Sequence, residues 1–562
     1  MLLSLLFLAM PVQGVTPTDF DARVIEISTS SDGDEWLPIF FDPTGASVDL
    51  GNQIPLDLAS QTAPVAEWHH VRVALETEIM IQAVDPCGSG QTIYHGIDLT
   101  GDPVHDPDGD GVWVLHFATL EHGGSISGDG SVLNPKLLPD SIKPPKGRET
   151  RIRVLIRTTE IVRCEDGVVV VDTPEIRVVC DDGSPDIRPL TNQRFQVSCL
   201  RVDNNTSLPS LTTLQGILTF DENGSWSASE GFQHSLDVGT ADGSAQDFNS
   251  LRGLWGTRKD GRVWMTMEGL KGILVGHLGG WDETLAMTSF ENEGVSFTLF
   301  GNQWPQSSPA DPFQQPTRFL HYGARLELLE TDPLDGDLVW HDAFGRFSGS
   351  GGWIGFDGLV LVNELRWLRV FDPGQHQIVV DSDPLSMPQG APFNVVTTGG
   401  EMDFNLLDWN QQHHGSVISD GRFTLSSPSD HTELAHGIGM TLGIPWTASP
   451  STLTGHTLHG TYFSDIKVEG GTLPAAGRFS VSFDSGGVVQ WKQQQVVEGQ
   501  MVAHEFNGTW TMDPEAVVEI DLPGVGRWRG QLSESPRILG LVSSPNGTNG
   551  FDDRFIGLLL WN

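Results

Sequence analysis

The chain is poor in positive charge, in cysteine and in tyrosine, and after its first residues it has no long apolar run. Lys and Arg number 32 against 73 Asp and Glu, a formal net charge of -41 over 562 residues. Phosphate backbones are bound by Lys and Arg clusters that release counterions, and no such cluster occurs, so nucleic acid is excluded as a partner and anionic lipid surfaces would repel the chain. Neutral or basic ligands stay open, among them a glycan or a small neutral molecule. Beyond the first residues no stretch reaches the roughly 18 apolar residues that a membrane-spanning helix needs. The four cysteines, Cys87, Cys164, Cys180 and Cys199, include no CxxC pair, which argues against zinc. There is no GxSxG elbow for a nucleophile and no P-loop. A carboxylate pair for glycoside hydrolysis cannot be singled out from 73 acids without geometry.

What is present begins with an export signal. Residues 1–14, MLLSLLFLAMPVQG, form an apolar stretch followed by Pro and small residues, which resembles a secretory signal without the usual positive start. No cysteine stands near the cleavage point to carry a lipid. The expected location is secreted or in the cell envelope, in a bacterial periplasm or on an outer surface. In that compartment four cysteines imply two disulfides, with three connectivities open. Cys164 with Cys180 is preferred, because a reversal at Glu165-Asp166-Gly167 lies between them.

A short signature occurs twice. Phe220-Asp221-Glu222-Asn223-Gly224, Gly253-Leu254-Trp255 and the run Val263–Gly269 return as Phe483-Asp484-Ser485-Gly486-Gly487, Gly508-Thr509-Trp510 and Val518–Gly524. Trp255 to Gly269 and Trp510 to Gly524 span the same 14 residues, so a duplicated β module is the expected cause. In the second copy Phe479, Val481 and Phe483 alternate with Arg478, Ser480 and Ser482, a strand with one buried and one wet face. Asn223-Gly224, Asp260-Gly261, Asn507-Gly508 and Asn546-Gly547 read as hairpin turns, which makes the strands antiparallel and locally joined.

The expected fold is therefore all-β: an N-terminal β-sandwich at residues 15–189, then tandem antiparallel β-meander modules, barrel or sandwich, at 190–303, 318–445 and 456–562. Linkers are expected at 303–316, 381–392 and 445–455, and the proline-rich residues 134–147 are read as a loop or crossover inside the first unit. Three GxGxxxG triplets, at Gly349, Gly437 and Gly524, would each place glycines on one strand face, open to cover by a ring such as Trp353, Trp510 or Trp528. No amphipathic helix follows them, which argues against a dinucleotide fingerprint.

In the N-terminal 70 residues the segments DGDEWLPI and HHVRVAL, placed as two strands, resemble immunoglobulin-like or transthyretin-like β-sandwich domains of bacterial envelope proteins of unknown function. That resemblance implies a fold and carries no functional residues. The Gly-x-Trp pairs, at mid-module, loosely resemble those of lipocalin-like β-meander barrels and imply an up-and-down topology.

Candidate chemistry is thin. Asp106, Asp108 and Asp110 with Gly111 stand at the spacing of a calcium loop. Phe117 holds the position where an EF-hand needs Glu, so a solvated acidic turn is the favoured reading and calcium the alternative; no other cofactor is expected. The pairs His69-His70 and His413-His414 would face opposite sides of a strand and cannot easily share a metal. His431 with His436 lacks the HExxH spacing, and His504 lacks a second histidine four residues on. Histidines on the surface, or satisfied within the fold, are therefore expected. Seventeen tryptophans against three tyrosines suit either core packing, which is favoured, or sugar-stacking platforms. The sequence leans towards a non-catalytic binding or structural protein. The alternative is a carbohydrate-active enzyme or small-ligand carrier with a Trp-lined cleft or interior.

Overall fold

The computed structural model shows a chain built almost wholly of strands, with one short 3-10 turn and no α-helix among the described residues. It describes the strands and most tight turns between residues 19 and 561, leaving out 1–18, 50–66, 99–111, 125–134, 144–150, 182–188, 204–209, 305–316, 349–355, 372–380, 386–390, 418–422, 428–434, 446–452, 544–553, 562 and shorter loop stretches. For most of 323–438 only the backbone course and pairing are described. The chain divides into residues 1–183 and 184–562.

The N-terminal unit is a β-sandwich. Its larger sheet comprises β1 (Asp19–Ser30), β2 (Leu37–Asp49), β3 (His70–Glu76), β4 (Glu78–Val84), β5 (Thr92–Asp98), β6 (Val112–Ala118) and the short β7 (Lys136–Leu137). Strand β1 bridges this sheet: its start pairs β4, its later part pairs β3, and β2 runs along its other edge. Two further ladders join β8 (Arg151–Arg157) to β11 (Glu175–Asp181) and β9 (Val162–Glu165) to β10 (Val168–Val171). Period-two alternation puts Val71, Val73 and Leu75 of β3 on one face, where they meet Leu115 and Phe117 of β6 and Ile176 and Val178 of β11. Full burial of each such side chain contributes about 2 kcal/mol before entropy is counted.

Three sequence expectations change here. Asp32-Gly33-Asp34-Glu35 is the turn between β1 and β2, not a strand. Of the segment read as a loop, residues 135–143 are described and are partly paired: β7 runs parallel with β6, and Ile142 bridges Trp68. The disulfide joins Cys87, in the β4–β5 turn, to Cys164, across 77 residues. The reversal at Gly167 does form, but it sets Cys164 opposite Val169. Cys180 lies one strand further on, opposite Ile152, with its side chain in the sandwich core.

The second unit holds three eight-stranded antiparallel rings in succession. In the first, Arg194–Asp203 pairs with Ser210–Phe220 on one side and with the last strand, Val295–Gln303, on the other, which closes the sheet. The middle ring runs from Thr317–Leu329 to Ala435–Pro445 and closes in the same way. The third runs from His456–Val468 to Arg554–Leu560. In the first two, one extra strand, Asp242–Asp247 or Asp381–Leu385, extends the ladder outside the ring. The proposed linker at 381–392 therefore begins as a paired strand and does not divide the middle ring.

Closure explains the spread of apolar residues. The inner face of the first barrel is filled by Phe195, Val197, Cys199, Phe220, Trp226, Trp255, Met265, Met287 and Phe297, each at most 2 % exposed. Strand Arg194–Asp203 turns Leu200 and Val202 the other way, into a second cluster shared by all three barrels. There they join Phe300 of the first barrel, Leu320, Tyr322 and Leu442 of the middle one, and Phe463, Ile556 and Leu558 of the third. The closing strands are thus apolar on both faces, because one face fills a barrel and the other fills the seam between barrels.

Polar ties cross the same seam. Thr298 Oγ1 donates to the Tyr462 carbonyl at 3.0 Å, Arg318 pairs with Glu515, and His277 stacks on His459 at 5.1 Å. The Gly540 backbone comes so close to the middle barrel that a Cβ there would lie 2.5 Å from Ile444 Cδ1.

Candidate functional site

The duplicated signature is the first place to look, and both copies have the same geometry. Trp255 N donates to the Gly224 carbonyl at 2.8 Å, and Trp510 N to the Gly487 carbonyl at 2.9 Å. Phe220 meets Trp255 edge to face with ring centres 5.5 Å apart; Phe483 meets Trp510 likewise at 5.2 Å. Such a pair adds about 0.5–1.5 kcal/mol beyond the area it buries. A Cβ on Gly253 would lie 1.9 Å from the Thr266 carbonyl oxygen, and one on Gly508 would lie 2.1 Å from that of Asp521. Glycine at these two positions lets adjacent strands approach where the Phe-Trp pair closes the barrel. Gly508 sits inside strand Gln500–Met512, opposite Val489, so Asn507-Gly508 is not the hairpin turn its sequence suggests. Asn223-Gly224 and Asp260-Gly261 are turns, with positive φ at both glycines.

Among the described residues, the interiors of the first and third barrels are packed with their own side chains. In the third, Trp491 stacks on Trp528 at 4.7 Å, and Phe479, Phe555 and Tyr462 pack around them. Tyr462 is 1 % exposed, its hydroxyl donates to Gln495, and burial pushes its pKa up. Trp528 lies against Gly526, as expected of a ring covering a strand glycine, although Gly524 of that triplet belongs to the preceding turn. Trp68, Trp226, Trp255, Trp264, Trp491 and Trp528 are all under 10 % exposed, so these six serve packing and are not stacking platforms. Burial likewise pushes the Cys199 thiol up.

Chemistry gathers instead in the N-terminal unit. On the sheet face turned away from the sandwich core, the register aligns Ser30, His70 and Ala118 in one row and Ser28, Arg72 and His116 in the next. His70 Nδ1 and His116 Nε2 are 3.2 Å apart, and both side chains are 6 % exposed. The 3-10 turn Leu120–His122 brings His122 over both members of the adjacent pair: it stacks on His69 at 4.0 Å and meets His70 edge-on at 5.5 Å. Strict alternation had placed His69 and His70 on opposite faces. His69 precedes the strand, however, and its backbone bonds to Ser30 and Thr119 set its ring beside the cluster.

The β1–β2 turn lies over these rings. Trp36 packs against His116 at 5.2 Å and His70 at 6.4 Å, while the Arg72 guanidinium sits 3.9 Å from the Trp36 ring centre. The turn is shaped by Asp32, whose carboxylate accepts from the backbone of Asp34 and Glu35, bonds that hold its pKa below the ordinary value. Gly33, at φ 86°, passes close over His70. Burial, then the neighbouring His122, lowers the pKa of both His69 and His70. Among the described residues no three His, Cys, Asp or Glu side chains are arranged to hold a metal ion.

Other sequence candidates lie elsewhere in the chain. Asp106, Asp108 and Asp110 lie outside the described residues. His413 and His414 fall in strand Gln411–Val417, with their side chains outside the description. His504 is exposed, and Glu505 beside it pairs with Lys492 at 3.4 Å. The sequence signal that was missed is the spacing of HHVRVAL against VLHFATLEH, whose meaning depends on β3 and β6 being neighbours.

No protein-family model matches the chain, and no curated protein does. Among solved structures it is similar to transferrin binding protein B from serogroup B Neisseria meningitidis, at 10% identity over 73% of this chain and 84% of that one, with a TM-score of 0.20. It is also similar to a double mutant of transferrin binding protein B from Haemophilus parasuis Hp5, at 9% identity over 74% of this chain and 85% of that one, with a TM-score of 0.22.

Proposed function

We propose that the chain is an exported, non-catalytic binding or structural protein of the cell envelope or extracellular space, which meets its partners with its outer surface and loops. The observation that carries this is the filling of the first and third barrels by their own aromatic side chains. A carrier needs an open interior of several hundred Å³, and a carbohydrate-active enzyme needs a cleft with facing carboxylates. Neither fits inside those two barrels. The shared seam favours a rigid support, since it ties all three barrels into one apolar cluster. With a net charge of -41, such a support suits a neutral or basic partner better than an anionic one. No helix among the described residues is long and apolar enough to cross a membrane.

Two measurements on the full chain test the reading. A fluorescent naphthylamine probe titrated against the protein is expected to show no saturable binding, and a glycan panel no hydrolysis. One-to-one probe uptake that quenches tryptophan emission would instead establish a carrier, and turnover of any glycan an enzyme. For location, protease treatment of intact cells expressing the chain with its own leader is expected to cleave it. Protection that persists after the outer membrane is permeabilised, and ends only when the inner membrane is lysed, would refute export.

A further inference from the structure

We propose that the histidine cluster of the N-terminal unit is an acid-sensitive latch: neutral, it holds the β1–β2 turn and the 3-10 turn onto the sheet, and protonated, it releases them. The geometry limits how many protons the closed form accepts. Across the 3.2 Å contact between His70 Nδ1 and His116 Nε2, one nitrogen donates and the other must offer a lone pair. Protonating both rings would set two N–H groups against each other at a site that excludes water. His122, stacked on His69 at 4.0 Å and edge-on to His70, would bring further positive charges into contact with the first. Protonating the cluster fully therefore requires the rings to swing apart towards water; since β3 and β6 stay paired in the sheet, it is the covering elements, the 3-10 turn with His122 and the β1–β2 turn with Trp36, that must lift.

Surrounding charges decide whether repulsion or compensation prevails. The β1–β2 turn presents Asp32, Asp34 and Glu35, the segment before β3 presents Glu67, and the 3-10 turn presents Glu121. Asp32 and Asp34 favour charge on His70; Glu67 and Glu121 favour it on His69. Asp32 is committed to the backbone of its own turn, and Glu67 to Ser141 and Lys143. Arg72 adds a fixed positive charge under Trp36. Burial and the histidines' mutual repulsion outweigh the acids, and both pKa values fall.

The sign follows. A histidine whose pKa is lower in the closed form binds fewer protons there than when open, so closure is fully stable above about pH 6.5 and weakens as pH falls towards the depressed values. The trigger is then mild acidification, and the loosened parts are residues 31–36 and 119–124.

Hydrogen exchange of the full chain at pH 7.5 and 5.0, corrected for intrinsic rates, tests this. Peptides covering 31–36 and 119–124 are expected to exchange about tenfold faster, or more, at pH 5.0, while peptides of the third barrel stay unchanged. His70→Gln with His116→Gln should abolish the difference. Should that pair fail to fold, His122→Gln at an exposed position should reduce it. Equal protection of the wild type at the two pH values overturns the proposal, as does an acid response that persists undiminished in the variants.

Discussion

Replacing Gly508 by Ala tests whether the duplicated signature is a closing device of the barrel. The added Cβ would lie 2.1 Å from the Asp521 carbonyl oxygen and 2.7 Å from Leu522 Cδ2. An ordinary carbon-oxygen contact is above 3 Å, so the two strands must part by about 1 Å. That movement stretches the ladder that starts at the next residue, where Thr509 faces Asp521 and Trp510 faces Ile520. Two backbone hydrogen bonds weakened at about 1 kcal/mol each, with about 1–3 kcal/mol of overpacking, give an expected loss of about 3–5 kcal/mol. Gly253→Ala should behave alike in the first barrel, where the obstacle is the Thr266 carbonyl oxygen at 1.9 Å. Gly486→Ala is the control, because its Cβ would meet nothing nearer than 3.4 Å and its φ is not positive. Opening free energies come from hydrogen exchange of peptides within residues 500–534. If Gly508→Ala stays within about 0.5 kcal/mol of the wild type, close strand approach is not why glycine stands there.

Three other outcomes are expected. Cys87→Ser with Cys164→Ser removes a cross-link closing 77 residues; the chain-entropy relation gives about 4.5 kcal/mol, so thermal unfolding should show the N-terminal unit falling and the barrels unmoved. Phe463→Ala empties a seam position that is fully buried and packs edge to face on Tyr322; it should cost about 3–5 kcal/mol and split a single calorimetric transition of the three barrels. For Asp106, Asp108 and Asp110, a chelator should leave the melting temperature of the full chain unchanged, as for a solvated turn; a fall that calcium restores would make them ligands.

The β class and the antiparallel meander were legible because they rest on local chemistry. Side chains at i and i+2 share a face, so Phe479, Val481 and Phe483 declare a strand wherever it ends up. The signature was legible in the same way, because its turn, its glycine and its Phe-Trp pair recur as one unit in two barrels. Its purpose was less legible. Asn507-Gly508 has the composition of a turn, yet it lies mid-strand, since what Gly508 supplies is space for a neighbouring carbonyl.

By itself, then, the sequence determined that this is an all-β chain with successive antiparallel modules and no cluster of positive charge. The tertiary structure decided which distant residues meet. Cys164 bonds to Cys87 and not to the nearer Cys180, because β9 lies beside the β4–β5 turn while Cys180 points into the sandwich. His70 and His116 touch across 46 residues because β1, β3 and β6 are adjacent in the sheet. The outward Leu200, Val202 and Phe463 are buried because three barrels pack on one another. The physical reason is common to all three: alternation and turn chemistry act over a few residues, whereas sheet order and barrel packing follow from closing loops tens of residues long, which no local pattern encodes.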